Sequence, residues 1–226
     1  MTQESLSRPL VAEFVGTFAL IFIGAGAAAL GVGGLVGVAF AHGLVVLAFA
    51  YAYGHISGTH VNPAVTIGVW AAGKIGAGRA FSYVVFQLLG GIAGAFALRF
   101  ALGGTETGLG ATVLARGLEA GGTTIDVTPA MGFFLEAVLT FFLVNTVLNA
   151  AVSGKAPQMA GAAIGLTLTL GILMGGPLTG GSLNPARTLG PAVATGNFAD
   201  LWVYMAGTVV GGLVAAGLYR GVLEER

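Results

Sequence analysis

The chain has 226 residues, of which 56% are hydrophobic and 8% charged, with a mean hydropathy of +0.92. A soluble domain carries about 25% charged residues, so this composition cannot cover a water-facing surface and belongs to a helical protein that crosses a membrane several times. Nine basic and nine acidic side chains cancel, which argues against nucleic acid or a strongly charged partner, and the absence of cysteine removes disulfides and thiol chemistry.

In chain order, Met1 to Pro9 is polar and lacks a small-residue cleavage site, so the first apolar run is expected to be a retained helix. Six runs approach the ~20 residues that a bilayer-spanning helix needs: residues 10–31, 35–54, 79–100, 129–152, 158–176 and 201–219. Two shorter runs, 64–73 and 186–195, each follow the tripeptide Asn-Pro-Ala, at Asn62, Pro63, Ala64 and at Asn184, Pro185, Ala186. Ten helical residues reach roughly 15 Å, half of a ~30 Å hydrocarbon core. The two are expected to be re-entrant half-helices.

The halves of the chain repeat. Glu13 precedes Asn62 by 49 residues (62 minus 13), and Glu136 precedes Asn184 by 48 (184 minus 136). Three full spans per repeat is an odd number, so the second copy is inverted relative to the first. The expectation is one all-α transmembrane channel domain over 1–226, with repeats at about 9–101 and 129–223 joined by an external loop at about 102–128. Arg8, Lys74, Arg79, Lys155, Arg220 and Arg226 fall at the termini and in the second and fourth loops, which predicts that both termini are cytoplasmic. Gly90-x-x-x-Gly94, Gly161-x-x-x-Gly165 and Gly207-x-x-x-Gly211 read as helix-packing seams.

Asn is a favoured helix cap, and Pro a favoured first residue. Two inverted copies, each after a Gly- and Ser-rich stretch, go further: their N-termini meet near the midplane and aim two positive dipole ends at one place. Asn62 and Asn184 then offer amide N–H groups to a pore. The carbonyls of Gly58, Thr59, His60 and Val61, and of Gly180, Gly181, Ser182 and Leu183, form a ladder of acceptors. The pore groups bind and orient but supply no nucleophile or acid, so no enzyme is expected. Three histidines without cysteine or clustered carboxylates predict neither a metal nor another cofactor.

Paired Asn-Pro-Ala, with Arg187 after the second, resembles the aquaporin (major intrinsic protein) family over nearly the whole chain. The resemblance implies six transmembrane helices and two half-helices in an hourglass, passive flux of water and small neutral solutes through each subunit of a homotetramer, and exclusion of ions and protons. It further implies a selectivity filter of His42, Ile172, Gly181 and Arg187. That set is similar to the filter of certain plant vacuolar-membrane aquaporins that pass ammonia. Glycerol-type channels usually have Asp after the arginine and Lys four residues later, where this chain has Thr188 and Ala192. Met205 departs from the Trp usual in water channels. His55 matches an inner-vestibule histidine, and His60 is expected to contribute its carbonyl more than its ring. Glu13 and Glu136 are expected to accept hydrogen bonds from their re-entrant loops. A glycerol-type facilitator, an inverted-repeat secondary transporter and a structural membrane-junction protein are the alternatives. Short termini and compact loops lean towards a prokaryotic cell membrane.

Overall fold

The structure, a computed structural model, describes residues 4–224. Arg226, used above for orientation, and the first three residues of the polar N-terminal segment lie outside them. Six helices are long and apolar enough to span a bilayer: α1 (Ser7–Ala29), α2 (Gly34–Ser57), α4 (Ala77–Ala101), α5 (Pro129–Val152), α6 (Ala160–Thr179) and α8 (Leu201–Leu223). Two short helices, α3 (Pro63–Ala71) and α7 (Pro185–Thr195), follow the two Asn-Pro-Ala motifs. Within α1 and α5 the helix widens to π geometry at Leu20–Ala25 and Val147–Val152, a feature that often accompanies functional sites.

The inverted repeat is visible in how equivalent elements begin and end. α2 stops at Gly58 (φ +89°) and α6 at Gly180 (φ +81°), and each terminal amide donates back to a carbonyl four residues earlier, Gly54 or Gly176, at 3.0 Å. These left-handed caps turn the chain inward instead of out to the surface. The half-helices then start from extended Asn62 and Asn184, both at φ −157°. Each Asn Oδ1 accepts from the amides two and three residues on, at 2.8 and 3.4 Å in α3 and at 2.9 and 3.4 Å in α7.

Packing crosses between the repeats. α1 lies along α4, α5 along α8 and α2 along α6, while each half-helix sits against the third span of the other repeat, α3 on α8 and α7 on α4. Glycine makes these approaches possible. A Cβ on Gly43 would stand 2.5 Å from the Gly165 carbonyl oxygen, and one on Gly165 would stand 2.5 Å from that of Gly43. The seams read from sequence lie at such contacts: Gly90 faces Phe14, Gly94 faces Phe18, Gly161 faces Tyr51, Gly207 faces Phe133 and Gly211 faces Ala137. Lipid supplies no hydrophobic drive between helices, so close backbone approach and polar bonds hold the bundle.

Burial is inverted relative to a water-soluble protein. Phe81, Phe134 and Leu170 are exposed, whereas Glu13, Gln87, Glu136 and Thr208 are fully buried. The segment between repeats carries a small hairpin, β1 (Leu118–Ala120) with β2 (Thr123–Ile125), turning through Gly121 and Gly122 at positive φ. That segment is also partly internal, since Leu109 and Val127 are buried and Ala115 N–H donates to the Leu178 carbonyl at 2.8 Å. At the opposite face, Lys74 bonds Glu224 at 2.5 Å and lies over the Tyr219 ring.

Candidate functional site: a channel between two half-helices

The N-termini of α3 and α7 meet in the interior. Asn62 Nδ2 donates to the Leu183 carbonyl at 2.7 Å, and Asn184 Nδ2 donates to the Val61 carbonyl at 3.0 Å. Each asparagine therefore caps its own helix with its oxygen and reaches the opposite re-entrant loop with its nitrogen. An amide carries two N–H groups, and the second of each pair is left for the channel lumen. The Val61 and Leu183 carbonyls, read from sequence as rungs of the acceptor ladder, each accept one bond of this crossed pair.

The re-entrant loops are strained. Thr59 (φ +50°), Val61 (+43°) and Leu183 (+52°) adopt left-handed backbone without being glycine, and each such residue costs of order 1–3 kcal/mol. Buried carboxylates hold them there. Glu13 accepts from His60 N–H (2.9 Å), Val61 N–H (2.6 Å), Ser57 Oγ (2.7 Å) and Gln87 Nε2 (2.7 Å). Glu136 accepts from Ser182 N–H (2.9 Å), Leu183 N–H (2.8 Å) and Thr179 Oγ1 (2.7 Å). Tyr83 and Tyr204 complete the symmetry by donating to the Ser57 and Thr179 carbonyls, both at 2.9 Å.

The lumen is one polar stripe against an apolar wall. A closed stretch of about 30 Å³ is lined on its polar side by Gly58, Thr59, His60, Asn62, Ser182 and Asn184, with His42 and Arg187 beside them. Leu20, Val46, Val65, Leu143, Ile164 and Leu168 are on the other side. At ~10–15 Å³ of such space per water, it has room for roughly two to three waters. Towards the face carrying the inter-repeat segment it opens into a vestibule of about 580 Å³, lined in part by Thr107, Gly110, Ile172, Gly180 and Arg187.

At the junction of these spaces, Arg187 is 3% exposed and His42 1%. Arg187 Nη1 donates to the Gly110 carbonyl at 2.7 Å, and His42 Nδ1 donates to the Val38 carbonyl at 2.9 Å. Arg187 Nε and His42 Nε2 have no protein partner. Gly24 leaves the room that the His42 ring fills: a Cβ there would lie 2.6 Å from His42 Cδ2. Gly181, at φ +58°, lies against Ile172, where a side chain would stand 3.1 Å from Ile172 Cα.

His55 is exposed in the last turn of α2, away from the closed stretch. The His60 ring reaches Thr66 Oγ1 at 3.1 Å and meets Tyr83 edge to face, so its side chain as well as its carbonyl belongs to the loop. Sequence reasoning missed Gly110, Gln87, Thr66 and Tyr83. Extending the internal alignment pairs Tyr83 with Tyr204, whereas a loop carbonyl such as that of Gly110 leaves no mark in a sequence. Among the described residues no cluster of three His, Cys, Asp or Glu side chains could hold a metal ion.

The model of the family described as Major intrinsic protein matches residues 1–219. Aquaporin NIP3-1 of Oryza sativa subsp. japonica is 41% identical over 224 residues, covering 96% of this chain and 69% of that protein. Glycerol uptake facilitator protein-like 6 of Lactiplantibacillus plantarum is 38% identical over 223 residues, covering 96% of this chain and 99% of that protein. Among solved structures, the aquaglyceroporin from Plasmodium falciparum superposes with a TM-score of 0.83 at 25% identity, covering 96% of each chain. With paired half-helices meeting at crossed asparagines, a family match over nearly its whole length and relatives of this kind, the chain belongs to the major intrinsic protein family of membrane channels.

Proposed function

We propose that the protein conducts water passively, passes ammonia as a second small neutral solute, and excludes ions and protons. The observation that carries this reading is the pair of buried, unpartnered nitrogens at the narrow junction, Arg187 Nε and His42 Nε2. Leaving a buried polar group unbonded costs about 1–3 kcal/mol, so the site favours a permeant that satisfies both. Arg187 Nε–H donates. His42 carries its proton on Nδ1, facing Val38, so the neutral ring accepts at Nε2. Water and ammonia each accept and donate within that space, and both slide along an apolar wall that offers nothing to hold them.

Ions are disfavoured twice. The two half-helix N-termini direct positive potential at the crossed asparagines, and Arg187 adds a full positive charge to the adjacent narrowing. Asn62, Asn184 and Arg187 are thus the principal residues, with His42, Ile172 and Gly181 setting the filter and the carbonyls of Gly58, Thr59, His60, Gly180, Gly181 and Ser182 accepting from the file. Glu13 and Glu136 hold the loops, and His55 lies at the inner mouth. The reading includes a homotetramer, with both termini cytoplasmic, in a prokaryotic cell membrane.

Glycerol is the second reading, supported by the likeness to a protein named a glycerol uptake facilitator and to an aquaglyceroporin. Stopped-flow light scattering of proteoliposomes under water, ammonia and glycerol gradients separates the two. Osmotic shrinkage no faster than bare lipid refutes the water reading, and equal ammonia uptake by loaded and empty vesicles refutes the ammonia one.

A further inference from the structure

We propose that three buried hydroxyls, those of Thr112, Thr188 and Ser182, form a directional chain that positions Arg187 and thereby sets the size of solute admitted; this rests on the channel reading above. Thr112 Oγ1 lies 2.9 Å from Thr188 Oγ1, and Thr188 Oγ1 lies 2.7 Å from Ser182 Oγ. All three residues are buried. Ser182 Oγ donates to the Asn184 carbonyl at 2.8 Å and accepts from Asn184 N–H at 3.3 Å.

The direction follows from counting protons. A hydroxyl has one to give, and Ser182 has given its own to Asn184. Thr188 must then donate to Ser182, and Thr112 must donate to Thr188. The chain runs from the inter-repeat segment inward and ends on the carbonyl that also accepts the Arg187 backbone N–H at 3.1 Å. Two residues before Thr112, Gly110 accepts from the Arg187 guanidinium. One short stretch of the segment therefore holds Arg187 at its head and, through Thr188, at its root. That stretch is pressed home from both sides: a Cβ on Gly110 would stand 2.2 Å from the Ala25 oxygen, and one on Gly180 would stand 3.0 Å from Thr112 Cα.

The first repeat shows what the chain replaces. There Thr66, equivalent to Thr188, is bonded by Gln87 Nε2 at 2.8 Å, a donor from helix α4. The position equivalent to Gln87 is Thr208, four residues after Tyr204 as Gln87 is after Tyr83, and its hydroxyl turns away to the Tyr204 carbonyl at 2.6 Å. The donor missing from the helix is supplied by Thr112. The residue before Thr66 is Val65, which needs no such alignment, whereas the residue before Thr188 is Arg187.

The test is the ratio of glycerol to water permeability in proteoliposomes, which does not depend on how much channel inserts. Thr112→Val and Thr188→Val are expected to raise that ratio about three- to tenfold, the range worth one neutral hydrogen bond. The double variant should do no more than either single one, and Thr112→Ser should restore the wild-type ratio. Wild-type ratios in both valine variants, or failure of Thr112→Ser to restore the ratio, overturn the proposal while leaving the channel reading intact. If Thr112→Val does not insert, Thr112→Ala reads the same ratio. No water flux from the wild type removes the channel reading itself, and the proposal with it.

Discussion

Replacing Glu136 by alanine removes the carboxylate that organises the second re-entrant loop. Three bonds disappear, from Thr179 Oγ1, Ser182 N–H and Leu183 N–H. Two buried backbone donors lose their acceptor, and each buried N–H left unbonded costs about 1–3 kcal/mol. Leu183 at φ +52° is strained by of order 1–3 kcal/mol already in the wild type, and release of that strain as the loop relaxes offsets part of the loss. The two lost bonds come to roughly 2–6 kcal/mol before that relaxation, against the ~1 kcal/mol of a typical substitution. A fall in melting temperature of about 4 °C or more is expected, at the 2–4 °C per kcal/mol of a chain this size. Water permeability per inserted channel should collapse with it, because the crossed bond from Asn62 to the Leu183 carbonyl depends on that backbone. Glu136→Gln keeps one acceptor oxygen but turns an NH₂ group towards a donor, and should fall between. Thermal unfolding in detergent and stopped-flow permeability, normalised to protein content, measure both effects. An alanine variant that melts within about 2 °C of wild type and conducts normally refutes the reasoning.

Arg187→Ala should retain water flux, admit glycerol faster, and let a pH-sensitive dye trapped in vesicles report a proton leak; an unchanged solute ratio contradicts the assignment. Asn62→Asp keeps the cap oxygen but deletes the donor to Leu183 and adds negative charge between two positive helix ends, so vesicle conductance to potassium should rise, and unaltered exclusion would count against the dipole argument. Gly43→Val would force a Cβ to within 2.0 Å of Thr169 Oγ1 and 2.5 Å of the Gly165 oxygen; overpacking of this kind costs typically 1–3 kcal/mol, and detergent melting should fall accordingly. The hydrogen bond to Glu224 raises the Lys74 amine above its usual 10.5, so the stabilisation is fully present below 10.5 and fades only as pH rises through the elevated value. Lys74→Met should therefore shift melting by the same small amount at every pH from 7 to 9.5, and a steep pH dependence in that range would contradict the pairing.

The architecture was legible because lipid forces regularity. A run of apolar residues is a span, a run half as long after Asn-Pro is a half-span, and an odd number of spans per repeat inverts the copy. The positions of Glu13 and Glu136 were equally readable, since nearly the same interval, 49 and 48 residues, separates each from its asparagine. The details that sequence could not supply involve backbone atoms and coincidences of packing. The Gly110 carbonyl that holds Arg187 has no side chain to announce it, and the inter-repeat segment looked like a mere connection because its glycines and threonines carry no periodicity. The crossing of the asparagines was also hidden, because which carbonyl Asn62 reaches depends on where a loop 121 residues away is folded. The same fold position holds Val65 in one repeat and Arg187 in the other, so symmetry explains the scaffold and its breaking would explain the proposed filter.

Each half-helix is finished by the other half of the chain. The Ala71 carbonyl, at the end of α3, accepts from Arg220 at 3.1 Å, and the Ala194 carbonyl, near the end of α7, accepts from Arg99 at 3.0 Å. With the crossed asparagines, neither half-helix has a full set of partners at either end until both repeats exist. During synthesis the first repeat must therefore wait in the membrane with α3 unfinished, until a residue 149 positions later arrives. A half-made chain is exposed to quality control in a way the finished one is not, and two separately expressed halves should be recovered only as a pair.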